Sequence, residues 1–326
     1  RVEIVRGDLT APGLGIEPEV RRRVARRATS VLHVAASLNR RSEKECLNAN
    51  LRGTLSVIQL AQEIAVSGEG LRRFSDVSTV AVAGKRGSEV VREDEAIEWD
   101  RSDYDPYART KKFAEHMVRE LLPEVSHAFF RPSTVMGDSR HPKTTQFDMV
   151  RAFVALADLP VVPMKGTERQ DIVNADWVGR AIADLHVRPE LAHEIYHLSA
   201  GAESKSARDI AAAMLRGVPG RRPPRWLPRA SGAFQSIVDQ VALLPKGRVS
   251  RMGAILKVFW PYIVSDTVFD SSRAIAEMGG EAPVPFTEYC GALYGWAKEN
   301  RFEYPHRPMP TGVARVIDDP GAAAWA

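Results

Sequence analysis

Cysteine is nearly absent. Cys46 and Cys290 are the only two in 326 residues, which argues against a disulfide framework or a cysteine-built metal cluster and fits a reducing, cytoplasmic setting. No uninterrupted apolar run approaches the roughly 18 residues a spanning helix needs, so no membrane span is expected. Charge of one sign is not in excess either. A net charge of +4, dispersed along the chain, is too weak to argue for nucleic acid. The run RRRVARR at 21–27 has Val24 and Ala25 inside it and Glu17 and Glu19 just before it, which reads as a solvated helix face. His33, His186, His193 and His197 fall on different segments without zinc-ligand spacing. The chain shows no internal repeat. Its first residue is Arg1, and no signal-peptide pattern follows. What remains is an ordinary globular composition, 44% hydrophobic and 26% charged, long enough for one large domain or two modest ones.

Hydrophobic periodicity supplies the architecture. Val2, Ile4 and the turn at Gly7–Asp8 predict a short strand running into a loop. Residues 17–27 predict an amphipathic helix, and SVLHVAAS (30–37) an apolar strand with a polar exit. Helical spacing covers 43–64, with Asn50 and Gly53 inside it. Strand-then-loop patterns recur at 72–84 and 127–137, separated by a helical stretch over 104–122 that Pro123 ends. Such alternation predicts parallel βαβ units in an open α/β sheet, with the polar exits of all four strands on one ligand-binding edge. After Asp138 the alternation loosens. Helices are expected at 145–157, 176–187, 271–279 and 286–299, and short strands at 169–176 and 194–201. A loop is expected over GVPGRRPPRWLPR (217–229), and a loose tail after Tyr304.

Three residues suggest chemistry. Tyr107 and Lys111, in YARTK, are four apart and share one helical face. A nearby ammonium favours phenolate over phenol, which suits the tyrosine to proton transfer. The same spacing recurs in Tyr294 and Lys298, so spacing alone does not choose between them. Context favours the first pair. Thr79, 28 residues earlier, leaves a strand with its hydroxyl available to polarise a carbonyl. Ser78 beside it should point the other way by alternation. Serine and threonine are also ordinary turn formers at strand ends.

A strand ending in a hydroxyl residue, followed by YxxxK, resembles the extended short-chain dehydrogenase/reductase family, and further segments over residues 1–200 match in order. GDLT at 7–10 resembles the segment where Asp8, with Leu9, would contact adenine. HVAAS at 33–37 resembles the loop beneath the cofactor, which implies cofactor contact by His33, Ala35 and Ala36. NANLRGT at 48–54 resembles the family's N-x-x-G-T helix, with Asn50 as the match. RPSTVMG at 131–137 resembles the loop beside the nicotinamide, with Pro132 and Ser133 placed there. DIVNADWVGRAI (171–182) and YHLSAG (196–201) resemble the segments that return the chain to the sheet.

Within that family, GDLTAPGLGI, FSDVSTVAV and FWPYIVSDTVFDSSRA (259–274) look like the fatty acyl-CoA and thioester reductase, or male-sterility-type, branch. The resemblance implies an NADP cofactor, with NAD as an alternative, whose reduced form delivers hydride to a small-molecule acyl thioester. Thr79 and Tyr107 would stabilise the oxyanion, and Lys111 would bind the ribose and tune Tyr107. Arg221, Arg222 and Arg225 would be candidates for a carrier phosphate, although a solvated loop is the better account of them. Other readings stay open: a nucleotide-sugar epimerase or dehydratase, a hydroxysteroid-type dehydrogenase, or a non-catalytic fragment.

One element of the family is missing. No G-x-x-G-x-x-G follows a strand, and GLGI at 13–16 has the wrong spacing. The expectation is therefore an α/β, Rossmann-like, doubly wound parallel sheet lacking its first βαβ unit, roughly 50–80 residues. An incomplete NAD(P)-binding domain would cover 1–138, and a mainly substrate-binding region 139–304, with 169–200 returning to the sheet. A flexible tail would follow over 305–326.

Overall fold

Four strands build the central sheet, all parallel and in chain order: Ser30–His33, Arg73–Val77, Ser126–Pro132 and Ile195–Leu198. The computed structural model describes residues 3–304 except 217, 219 and 246. The expected tail lies outside them. Alternation along the third strand sorts the two faces. Phe129 enters one apolar cluster with Ile58, Ile64, Phe74 and Val118, under the helices Pro18–Arg27, Thr54–Ala65 and Pro106–Leu121. Phe130 enters the opposite cluster with Trp177, Leu185, Tyr196 and Leu198, under the helix Ala175–Val187. The sheet is therefore doubly wound, as expected, and all its carboxyl ends share one edge.

Val2 lies outside the described residues, and among those described the predicted strand near the start is not formed. Residues 3–8 run without a ladder partner, and Ile4 is 66% exposed. A strand is defined by its ladder, and among the described residues Ser30–His33 is the sheet's edge, paired on one side only.

Polar side chains tie the layers together. The buried Arg73 guanidinium donates to the carbonyls of Leu185, His186, Arg188 and Pro189, capping the carboxyl end of Ala175–Val187. Arg131 and Glu115 make a buried two-pronged pair at 2.9 and 2.6 Å, which locks the Pro106–Leu121 helix to its strand.

A second, larger apolar core is drawn only from residue 136 onward and includes Phe153, Met164, Ile210, Trp260 and Leu293. Three of its helices, Ala207–Met214, Ser231–Ala242 and Arg248–Ile263, were not legible in the sequence. The expected loop at 217–229 carries Arg225–Trp226, which pairs parallel with Val161–Val162, and a 3-10 turn at Pro228–Ala230. Thr267–Phe269 pairs parallel with Glu89–Val91, joining this region to the segment that follows Thr79. Among the described residues no helix is long and apolar enough to cross a membrane.

Candidate active site

The Pro106–Leu121 helix begins where Asp105 supplies a cap. Its Oδ1 accepts from the Ala108 amide at 2.9 Å, and Pro106 occupies the first turn, where its missing N–H costs nothing. The inward face holds Tyr107, Lys111, Ala114, Glu115 and Val118, all buried. Tyr107 and Lys111 thus share a face as the spacing predicts, but they are not in hydrogen-bond contact. The Lys111 ammonium lies 3.1 Å from both carboxylate oxygens of Asp76 on the Arg73–Val77 strand. The Tyr107 hydroxyl has no protein partner among the described residues.

Thr79 is extended and caps the Val80–Ala83 turn, which packs on the tyrosine helix. Its Oγ accepts from the Ala81 amide at 3.3 Å, leaving its own proton free to donate. The neighbouring Ser78 Oγ is buried without a partner.

His33 stands opposite Asp76 in the ladder. Its Nε2 is 3.0 Å from the Thr54 hydroxyl, which itself donates to the Asn50 carbonyl at 2.7 Å, so Nε2 carries the proton. Burial pushes the His33 imidazole below its usual value, with Asp76 opposing that shift. Asn50 sits in a π-helical stretch, Leu47–Gly53. Its amide accepts from the Ser37 N–H at 2.7 Å and donates to the Ser37 carbonyl and the Thr110 hydroxyl. It pins the loop after the first strand to the tyrosine helix. Ala35 and Ala36, on that loop, are exposed and half-buried. Pro132 ends its strand opposite Leu198, and the Ser133 amide donates to the Leu198 carbonyl. Asp8 is exposed and spends its carboxylate on the Thr10 N–H and hydroxyl, while Leu9 lies against Gly53.

Sequence reasoning missed Arg40. Its guanidinium lies 4.6 Å from the Tyr107 ring centroid and 4.9 Å from that of Tyr262. One nitrogen, Nη1, donates both to Asp105 Oδ2 at 2.9 Å and to the Tyr262 hydroxyl at 2.7 Å. Tyr262 donates in turn to Asp105 Oδ2 at 2.7 Å, and burial holds its hydroxyl well above the usual phenol range, so it stays protonated. Tyr104 stacks on Tyr262 with centroids 4.2 Å apart and lines a cleft of about 550 Å³ with Lys85, Arg86, Lys165, Glu168 and Asp266.

The second YxxxK pair lies elsewhere. Tyr294 and Lys298 both bind Asp158, at 2.7 and 2.6 Å, and Arg221 joins them at 3.4 Å. It is an ion cluster at the edge of the second core.

The strand edge suits the nicotinamide and ribose end of a dinucleotide. It has an open Tyr107 hydroxyl, an orphaned Ser78 Oγ and a small-residue loop at Ala35–Ala36. Among the described residues no glycine-rich turn follows a strand to cradle a pyrophosphate. A family description, male sterility protein, an NAD-binding domain, matches residues 1–182. The chain belongs to the male sterility protein family. Its fold is that of the extended short-chain dehydrogenase/reductases.

This male sterility-family chain is 28% identical over 209 residues to glycine betaine reductase ATRR of Emericella nidulans, covering 61% of this chain and 16% of that one. It is 27% identical over 172 residues to the fatty acyl-CoA reductase wat of Drosophila melanogaster, covering 45% and 32%. The chain therefore spans a third or less of these relatives. Among solved structures, the terminal R domain of the myxalamid PKS-NRPS pathway superposes with a TM-score of 0.74 at 24% identity, covering 91% of this chain and 75% of that one.

Proposed function

We propose that this chain is the catalytic part of an NADPH-dependent reductase of acyl thioesters, yielding an aldehyde, or an alcohol after a second round. The observation that carries the reading is the pair of unspent hydroxyl protons, on Tyr107 and Thr79, where the Thr79 turn packs on the tyrosine helix at the carboxyl edge of the sheet. When bound, the nicotinamide supplies the hydride. Thr79 and Tyr107 donate to the thioester carbonyl oxygen as it gains negative charge, and Tyr107 gives up its proton to that oxygen. The resulting hemithioacetal then breaks its C–S bond to leave aldehyde and thiol. Ala35, Ala36, Asn50, Pro132 and Ser133 shape the nicotinamide end. The buried His33 bonds Thr54 at the start of the Thr54–Ala65 helix.

The cleft beside Tyr104 supports a carrier-bound substrate. Lys85 and Lys165 line it, and neither ammonium has a protein partner among the described residues. They suit a phosphate of coenzyme A or of a carrier arm better than the Arg221 loop does, since Arg221 is held by Asp158. In this reading residues 1–138 bind the cofactor, and 139–304 mainly the acyl part.

The test is turnover of NADPH or NADH by this chain with acyl-coenzyme A, followed by aldehyde trapping. Consumption of one nucleotide with matching aldehyde supports the reading and names the donor. Binding of either nucleotide with no thioester reduction, whatever the acyl length, would overturn it.

A further inference from the structure

Arg40 joins three parts of the chain at one point. It lies on the loop after the Ser30–His33 strand, its acceptor Asp105 caps the tyrosine helix, and its second acceptor Tyr262 belongs to the Arg248–Ile263 helix of the second core. The two oxygens of Asp105 divide the work. Oδ1 holds the Ala108 amide in the first turn, and Oδ2 holds Arg40 and Tyr262. Asp105 thus fixes the turn that carries Tyr107, and Arg40 fixes Asp105 while covering the face of the Tyr107 ring.

The chemistry calls for arginine. A guanidinium can lie flat on aromatic rings while its edge nitrogens bond in plane, and an ammonium cannot do both. Arg40 meets the rings of Tyr107, Tyr262 and Phe259, with its Nη1 committed to Asp105 and Tyr262. Among the described residues no other cation lies on the face of the Tyr107 ring. Lys111, the cation the sequence suggests for Tyr107, is held by Asp76.

We propose that Arg40 is a positioning residue for Tyr107: a cationic brace that sets the tyrosine's orientation and links it to the seating of the second core through Tyr262. Its catalytic consequence rests on the thioester reductase reading, but its geometry does not. The brace makes the Tyr107 orientation depend on two segments far apart in the chain, so a substrate that shifts the Arg248–Ile263 helix also shifts the proton donor.

Arg40→Ala, Arg40→Lys and Tyr262→Phe test it, read by amide hydrogen exchange and by steady-state kinetics. Arg40→Ala is expected to speed exchange at the Ala108 and Arg109 amides about tenfold, with strand 126–132 unchanged, because only the first turn loses its support. It is also expected to lower kcat about tenfold while the nucleotide KM stays within about twofold. Arg40→Lys keeps the charge but not the plane, so it should recover only part of both effects, and Tyr262→Phe should give an intermediate loss. The proposal is overturned if exchange at Ala108 and Arg109 is unchanged, if it rises equally throughout the chain, or if lysine restores both readouts fully. If the chain reduces no thioester yet Arg40→Ala still loosens that turn, the brace stands and the functional reading fails. If turnover is present and Arg40→Ala changes neither readout, the reading stands and the brace fails.

Discussion

Lys111 and Asp76 form a closed pair. The ammonium is 3.1 Å from each carboxylate oxygen, and the two side chains are 2% and 0% exposed. A buried pair of this kind gains little over an apolar pair of the same size, but removing one partner strands the other as an uncompensated charge. Asp76→Asn is therefore expected to lower unfolding stability by about 3–5 kcal/mol. Asp76→Asn with Lys111→Met should recover most of the loss, because both charges are then gone. Urea unfolding of the two single variants and the double variant measures the coupling. An Asp76→Asn protein as stable as the parent would show that the pair does not form.

Acid–base linkage should appear beside the last strand of the sheet, Ile195–Leu198. Burial raises the Glu93 carboxyl to about 7 although it accepts from the His197 and Arg273 amides, and burial raises Asp171 to about 6. Each group keeps its proton in the folded chain at a pH where the unfolded chain has lost it, so folding takes up protons over that window. The stability they contribute is full below the ordinary carboxyl range and is lost as pH rises through about 6 and then about 7. Glu93→Gln cannot titrate. The difference in unfolding free energy between parent and variant should therefore slope across pH about 4.5 to 7 and flatten on either side. A difference that is flat across that window would remove Glu93 as the cause.

Much of the sheet was legible because its strands are short apolar runs with polar exits, and the YxxxK spacing put Tyr107 and Lys111 on one face. The strand expected near Val2 and Ile4 was not, since alternation shows which residues suit a strand but not whether a neighbour is there to pair with it. The helices at 207–263 were hidden by the Pro- and Arg-rich stretch between them and by Pro261 within the last. The partners of the site side chains were not legible at all. Asp76 is 35 residues from Lys111, and Arg40 reaches its acceptors across 65 and 222 residues. Those contacts exist only once the sheet and the second core are in place.

The two YxxxK pairs give an internal control. Tyr107 has an unspent hydroxyl at the strand edge, whereas the Tyr294 hydroxyl is held by Asp158 and Lys298 at 2.7 Å each. Tyr107→Phe is expected to reduce thioester turnover by about 100-fold or more, the usual contribution of a positioned proton donor. Tyr294→Phe should cost about 1 kcal/mol of stability for a lost hydrogen bond and leave turnover within about twofold. Equal losses in the two variants would mean that Tyr107 acts through packing alone.

Gly53 marks where the segment at residues 8–14 seats on the sheet's helix layer. It closes the π-helical stretch with right-handed helical angles, φ of −64°, so conformational freedom does not explain the glycine. Proximity does: an added Cβ would press on Leu9 Cγ, well inside contact distance, and approach the Leu9 carbonyl at 3.1 Å. In an open helix Gly53→Ala would stabilise by about 1 kcal/mol. Here the clash should reverse the sign, lowering stability by about 1–3 kcal/mol. It should also speed exchange at the Asp8 amide, which donates to the Leu14 carbonyl at 2.7 Å. Adding Leu9→Ala relieves the side-chain part of the clash but not the carbonyl part, so recovery should be incomplete. A stabilised Gly53→Ala protein would show that residues 8–14 do not rest on this helix.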